Sequence, residues 1–133
     1  MFKKAKIRTI RGLKCQGRKE EWYINSLKGD LPAKAKFIQT PIGRYTPDFE
    51  YDDKYIEIKG GGTWKVLLGQ ESYIRGGKIS DLQWRKIQWV AANIKPVHII
   101  IICNKDVTMK LVENNIPQLP PGIKVEIYLE ERK

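Results

Sequence analysis

A single histidine, His98, and two cysteines, Cys15 and Cys103, stand in 133 residues. That scarcity removes several kinds of chemistry at once. No Cys/His cluster offers the ligands of a zinc site, and no CxxC pair or disulfide framework is present. One histidine at the start of an apolar run gives little support to Ser-His-Asp or Cys-His nucleophiles. Long hydrophobic runs are missing as well. The longest, Val97 to Cys103, is strand-sized and contains His98, well short of the ~20 apolar residues of a membrane span. No membrane partner is expected. The N-terminus lacks the apolar block of a signal peptide, so a reducing cytoplasm is the simplest home.

Acidic residues are the minority, 15 Asp and Glu against 25 Lys and Arg, and the resulting net charge of +10 makes a polyanion the first partner to consider. That polyanion is nucleic acid or an anionic membrane surface. The length suits one domain with a genuine core. There is no internal repeat, and the glycine cluster after Lys59 lacks the GxGxxG spacing of a dinucleotide fingerprint.

Residues 1–16 read as a basic N-terminal arm and residues 17–133 as the folded domain. The arm is either a solvated tail or a phosphate-contacting segment using Lys3, Lys4, Arg8 and Arg11, with a short strand possible at Lys6 to Ile10. A helix is expected from about Gly17 to Lys28. Counting from Glu20, positions +3, +4 and +7 are Tyr23, Ile24 and Leu27, so Glu20 lies on the buried stripe and Glu21 toward solvent. A carboxylate on that side needs a partner, unless it only complements the helix dipole. Lys36 to Ile42 reads as a strand entering a turn at Pro41 to Arg44, with Arg44 a candidate phosphate contact.

The densest pattern runs from Thr46 to Gly60. Aromatic and β-branched residues alternate with charged ones on both sides of Asp52-Asp53, which is the signature of a hairpin. A two-residue turn there sets Asp48 opposite Glu57 and Phe49 opposite Ile56. Asp48, Glu57 and Lys59 then share one face, and Phe49, Tyr51, Ile56 and Ile58 the other. A three-residue turn breaks the charged face. Two carboxylates at cross-strand distance repel by roughly 4 kcal/mol at an effective dielectric of about 20. Such a pair wants a cation or one raised pKa, and a hard ion such as Mg²⁺ suits oxygen ligands at this spacing. The plainer alternative is a half-exposed hairpin with solvated charges.

Residues 60–80 form a glycine-rich loop insertion in which Trp64, Tyr73, Arg75 and Lys78 are candidate DNA contacts. A second helix is expected from Asp81 to Ile94, with Trp84, Ile87, Ala91 and Ile94 inward, Val90 beside them, and Lys86 or Gln83 on a polar face. The run Val97–Cys103 reads as a strand buried on both faces. A helix from Asp106 to Asn115 and an outer strand from Lys124 to Leu129 complete the chain.

Pro47-Asp48, followed after eight residues by Glu57-Ile58-Lys59, resembles the signature of the PD-(D/E)XK nucleases. Tyr45-Thr46-Pro47-Asp48-Phe49 and Ile58-Lys59-Gly60 look most like phage endonuclease I-type junction resolvases. The resemblance covers roughly residues 17 to 103. It implies an α/β fold with a mixed central β-sheet flanked by helices, the restriction-endonuclease-like αβββαβ core. It also implies that Glu20 completes a metal site with Asp48, Glu57 and the Ile58 carbonyl. In a phage setting the location is the host cytoplasm.

The expected function is Mg²⁺- or Mn²⁺-dependent hydrolysis of DNA, with Glu20, Asp48, Glu57 and Lys59 as catalytic residues. The absence of a recognition helix favours DNA shape over sequence, such as a Holliday junction. Cutting two strands favours a homodimer. Two alternatives stand: a restriction, homing or transposon-end nuclease of the same superfamily, and a non-catalytic basic nucleic-acid-binding module.

Overall fold

The computed structural model describes residues 7–61, 79–116 and 118–130. The chain enters it as an antiparallel hairpin, β1 (Ile7–Ile10) with β2 (Leu13–Gln16), in which Ile10 faces Leu13. Its turn residues, Arg11 and Gly12, both have positive φ, 51° and 85°, the backbone hand that matches strand twist in a tight hairpin. Arg11 bears a Cβ, so this conformation carries a cost. Offsetting it, the guanidinium donates to the carbonyls of Ile24 at 2.9 Å and Leu27 at 2.8 Å. Those carbonyls close the C-terminal end of α1 (Arg18–Ser26). Part of the stretch read as a basic arm is therefore this hairpin, and its Cys15 is fully buried.

Helix α1 is shorter than the expected span to Lys28, but its buried residues are Glu20, Tyr23 and Ile24, the stripe read from the spacing. After it come β3 (Ala33–Lys34) and a second hairpin, β4 (Ile38–Thr40) with β5 (Gly43–Tyr45). The single strand expected at Lys36 to Ile42 is thus broken at Thr40. Pro41 cannot donate to a ladder, and the Thr40 hydroxyl oxygen accepts the N–H groups of Ile42 and Gly43, both at 3.1 Å, closing the turn.

Next come β6 (Phe49–Tyr51) and β7 (Lys54–Gly60). Helix α2 (Ile79–Asn93), strand β8 (Val97–Cys103), helix α3 (Asp106–Asn115) and strand β9 (Ile123–Leu129) follow. Five strands form one mixed sheet in the order β3-β6-β7-β8-β9, antiparallel on the β3 side and parallel from β7 to β9. The protein is a single small α/β domain with this sheet and, among the described residues, three helices.

Strand β8 explains why the sheet has two covered faces. Ile99, Ile100, Ile101 and Ile102 are each at most 1% exposed, and burying each isoleucine contributes roughly 2 kcal/mol. Ile99 and Ile101 join Tyr55, Trp84, Ile87, Val90 and Val112, which brings α2 and α3 to one face. Ile100 and Ile102 join Tyr23, Ile24, Phe49, Ile56 and Ile58, which brings α1 to the other. Trp84, Ile87 and Val90 of α2 are buried and Ala91 packs against the same cluster, whereas Ile94, just past the end of the helix at Asn93, is 46% exposed. No helix among the described residues is long and apolar enough to cross a membrane.

Candidate active site

Asp52 and Asp53 form a two-residue connection, with Tyr51 opposite Lys54, Glu50 opposite Tyr55 and Phe49 opposite Ile56. The turn length is the one the charged face required. Beyond Phe49 the register departs from the expectation. The Asp48 N–H donates to the Ile56 carbonyl at 3.0 Å, so Asp48 and Phe49 both address Ile56. That is the two-against-one count of a β-bulge, which re-aims a side chain. Asp48 is therefore not simply paired opposite Glu57. Its carboxylate instead turns along the edge of β7 and accepts the Ile58 N–H at 2.7 Å.

Within a strand, the N–H and C=O of one residue point to the same side, so the Ile58 carbonyl is directed to the edge where Asp48 lies. In the Pro-Asp dipeptide, the aspartate carboxylate takes the place of a backbone ladder acceptor for the Ile58 N–H and brings a charge there.

Glu57 projects from the opposite side of β7's pleat and is 2% exposed. Its Oε1 accepts the Tyr45 hydroxyl at 2.5 Å, and its Oε2 lies 3.7 Å from Lys59 Nζ. Burial, and then the negative charge of Asp48, push the Glu57 carboxyl up to about 8, against the pull of Lys59 and Tyr45. Tyr45 is 4% exposed, and burial followed by the Glu57 carboxylate holds its hydroxyl protonated well above the usual value. No family model, curated protein or solved structure matches this chain. The chemistry rests on the site's own geometry.

Glu20 occupies the buried side of α1, as its spacing indicated, 8% exposed. Its Oε1 accepts the Gln16 N–H at 3.1 Å and lies 3.6 Å from Lys34 Nζ. Burial raises its carboxyl, the Gln16 N–H opposes that, and Asp48 raises it further. Asp48 is thus the electrostatic link between Glu20 on α1 and Glu57 on β7. Among the described residues no three His, Cys, Asp or Glu side chains are arranged to hold a metal ion. What the fold brings together is the Asp48–Glu57 pair at the edge carrying the Ile58 carbonyl, with Lys59 beside it. This hard-oxygen set fits a Mg²⁺-like ion, which takes only one or two carboxylates from a protein.

Lys34 and Tyr45 escaped the sequence reading. Tyr45 stood inside the quoted motif, and that was its only signal. Lys34 had none, because β3 is two residues long and meets Phe49 only through tertiary pairing. Of the expected DNA contacts, Arg8 is paired with Glu21 at 3.2 Å and Arg11 is engaged on the end of α1. Arg44 stacks its guanidinium 4.7 Å from the Phe37 ring centre. Lys86 lies over Gly43, where a Cβ would stand 3.2 Å from its Cε. Lys3, Lys4, Trp64, Tyr73, Arg75 and Lys78, and most of the 60–80 insertion, lie outside the described residues.

Proposed function

We propose that this protein is a Mg²⁺- or Mn²⁺-dependent endonuclease that hydrolyses DNA phosphodiester bonds, acting on branched DNA as a homodimer. The observation that carries this reading is the buried Glu57, with the Asp48 charge acting on it and Lys59 3.7 Å from its Oε2. A carboxyl that titrates near 8 beside a second carboxylate keeps a proton where a cation would otherwise stand. Metal binding to such a pair releases that proton, so the arrangement favours a divalent ion at neutral to alkaline pH.

Asp48, Glu57 and the Ile58 carbonyl are the groups that would hold the ion, with Glu20 near enough to Asp48 to sense its charge. The ion, when bound, neutralises phosphoryl charge and lowers the pKa of water. Asp48 is held for this by the Ile58 N–H, and Glu57 by the Tyr45 hydroxyl, which leaves Oε2 on the Lys59 side. Lys59 supplies a fixed positive charge for the phosphoryl oxygens and the leaving oxygen. The net charge of +10 supplies sequence-independent attraction to the phosphate backbone.

The order of helices and main-sheet strands supports the restriction-endonuclease-like reading. It runs α1, β3, β6, β7, α2, β8, the αβββαβ order, with the β4–β5 hairpin inserted. The decisive experiment compares plasmid, linear duplex and four-way-junction substrates in Mg²⁺ and in EDTA. Mg²⁺-dependent cleavage led by the junction, lost in Asp48→Ala and Lys59→Ala, is the expected result. Binding without cleavage overturns the reading in favour of a nucleic-acid-binding module.

A further inference from the structure

Beyond Lys59, the carboxyl ends of β7 and β8 open onto a cavity of about 500 Å³ lined by Lys19, Gly60, Gly61, Ile102, Asn104, Lys105 and Thr108. Every polar side chain in this lining can donate a hydrogen bond, and none is acidic. Four separate elements build it, and the end of β8 with the turn after it supplies Ile102, Asn104 and Lys105. Lys19 comes from α1 on one face of the sheet, Thr108 from α3 on the other, and the glycines from the end of β7 between them.

The two glycines make that convergence possible. A Cβ on Gly60 would stand 2.6 Å from Lys19 Cε, and a Cβ on Gly61 2.7 Å from Thr108 Cγ2. A side chain at Gly60 would displace the end of Lys19, and one at Gly61 would press on Thr108 and Cys103. The Gly61 N–H donates to the Ile102 carbonyl at 3.2 Å, which ties the chain to the end of β8. Arg18, one residue before Lys19, is bound to the buried Glu130 at 2.9 Å, and the Glu130 N–H donates to the Cys103 carbonyl at 2.8 Å. Helix α1 is thereby fastened to the same end of the sheet, and Lys19 is held over the opening.

Of the acids near this end of the sheet, Glu130 is engaged by Arg18 and Asp106 by Lys110 at 3.1 Å, while Glu113 acts on Cys103. Lys19 and Lys105 have no ion-pair partner among the described residues. Two unpaired ammonium groups with a hydroxyl and an amide, around a space of this size, suit a compact tetrahedral oxyanion.

We infer that this cavity is a phosphate-binding subsite, in which Lys19, Asn104, Lys105 and Thr108 hold a phosphate group next to the one cleaved. It rests on the nuclease reading only for the source of that phosphate, since the cavity begins at Gly60, directly after Lys59. An internal phosphodiester of the bound strand and a terminal phosphate share this chemistry.

The test is DNA binding by fluorescence anisotropy in EDTA, where no cleavage occurs and failure of the catalytic reading leaves the result interpretable. The full chain, the Lys19→Ala/Lys105→Ala variant and a Lys124→Ala control are titrated with salt on duplexes with and without 5′-phosphates. The expected result is a log-log salt slope shallower by about 1 in the double variant, with affinity down about tenfold at moderate salt and little change in the control. Loss on both duplexes assigns an internal phosphodiester, and loss only on the phosphorylated duplex assigns a terminal phosphate. An unchanged slope on both, or an equal loss in Lys124→Ala, overturns the subsite.

Discussion

The Tyr45 hydroxyl donates to Glu57 Oε1 across 2.5 Å in a buried setting, while Glu57 Oε2 faces Lys59. One oxygen of the carboxyl is thus committed to orientation and the other is turned toward the site. The β4–β5 hairpin, which lies outside the main sheet, reaches the site through this bond.

Replacing Tyr45 with phenylalanine keeps the ring and removes that donor. A buried acceptor left without its partner costs about 1–3 kcal/mol, so the thermal midpoint of Tyr45→Phe falls by several degrees. Loss of a group that orients a metal ligand typically costs ~10–100-fold in metal affinity or activity. A Mg²⁺ titration of cleavage should shift toward higher concentration by that order. An unchanged midpoint together with an unchanged titration refutes the orienting role.

Stability should fall as pH rises in the absence of divalent ions. Glu57 titrates near 8 in the folded chain against an ordinary value of 4.5. Below about 4.5 both folded and unfolded chains hold the proton, and the contribution to stability is fully present. Between those values the unfolded chain releases its proton and the folded chain keeps it, so stability is lost, levelling above about 8. The raised Glu20 acts in the same direction. The loss from Glu57 is on the order of 5 kcal/mol. Urea midpoints measured in EDTA from pH 5 to 9 check the slope, and Glu57→Gln should flatten it.

Asp48→Asn separates stability from function. The amide retains an oxygen to accept the Ile58 N–H but removes the charge that opposes Glu57 ionisation. In EDTA at pH 8 the variant should be more stable than the parent chain by about 1 kcal/mol. Cleavage in Mg²⁺ should drop at least about 100-fold. A variant that is both less stable and fully active contradicts the assignment of Asp48.

Arg11 offers a test outside the site. Arg11→Ala keeps a Cβ at φ 51° and loses both hydrogen bonds to the end of α1. Arg11→Gly loses the bonds but relieves the backbone. Chemical denaturation should rank them parent, then Gly, then Ala, with Ala lowest by about 1–3 kcal/mol. If Arg11 serves mainly in phosphate contact, both variants keep parental stability and lose DNA affinity.

Several features were legible because they are local. The period of two on either side of Asp52-Asp53 and the apolar run Val97–Cys103 each follow from side chains spaced along a single element. So does the placement of Glu20 with Tyr23 and Ile24. The strand expected at Lys36 to Ile42 failed for a local reason too, since the Thr40 side chain competes with the ladder for Ile42 and Gly43. The reach of β3 to β6, which sets Lys34 beside Glu20, had no local signal.

By itself, the sequence determined the helices and the two-residue hairpin turn, because alternation and turn chemistry act over a few residues. Tertiary structure alone decided that Asp48 is bulged onto the Ile58 N–H, that Tyr45 holds Glu57, and that Lys19 and Lys105 line one cavity at the end of β7. Those contacts join residues far apart in the chain, and they arise only when two apolar faces of one sheet are covered and the buried charges must find partners.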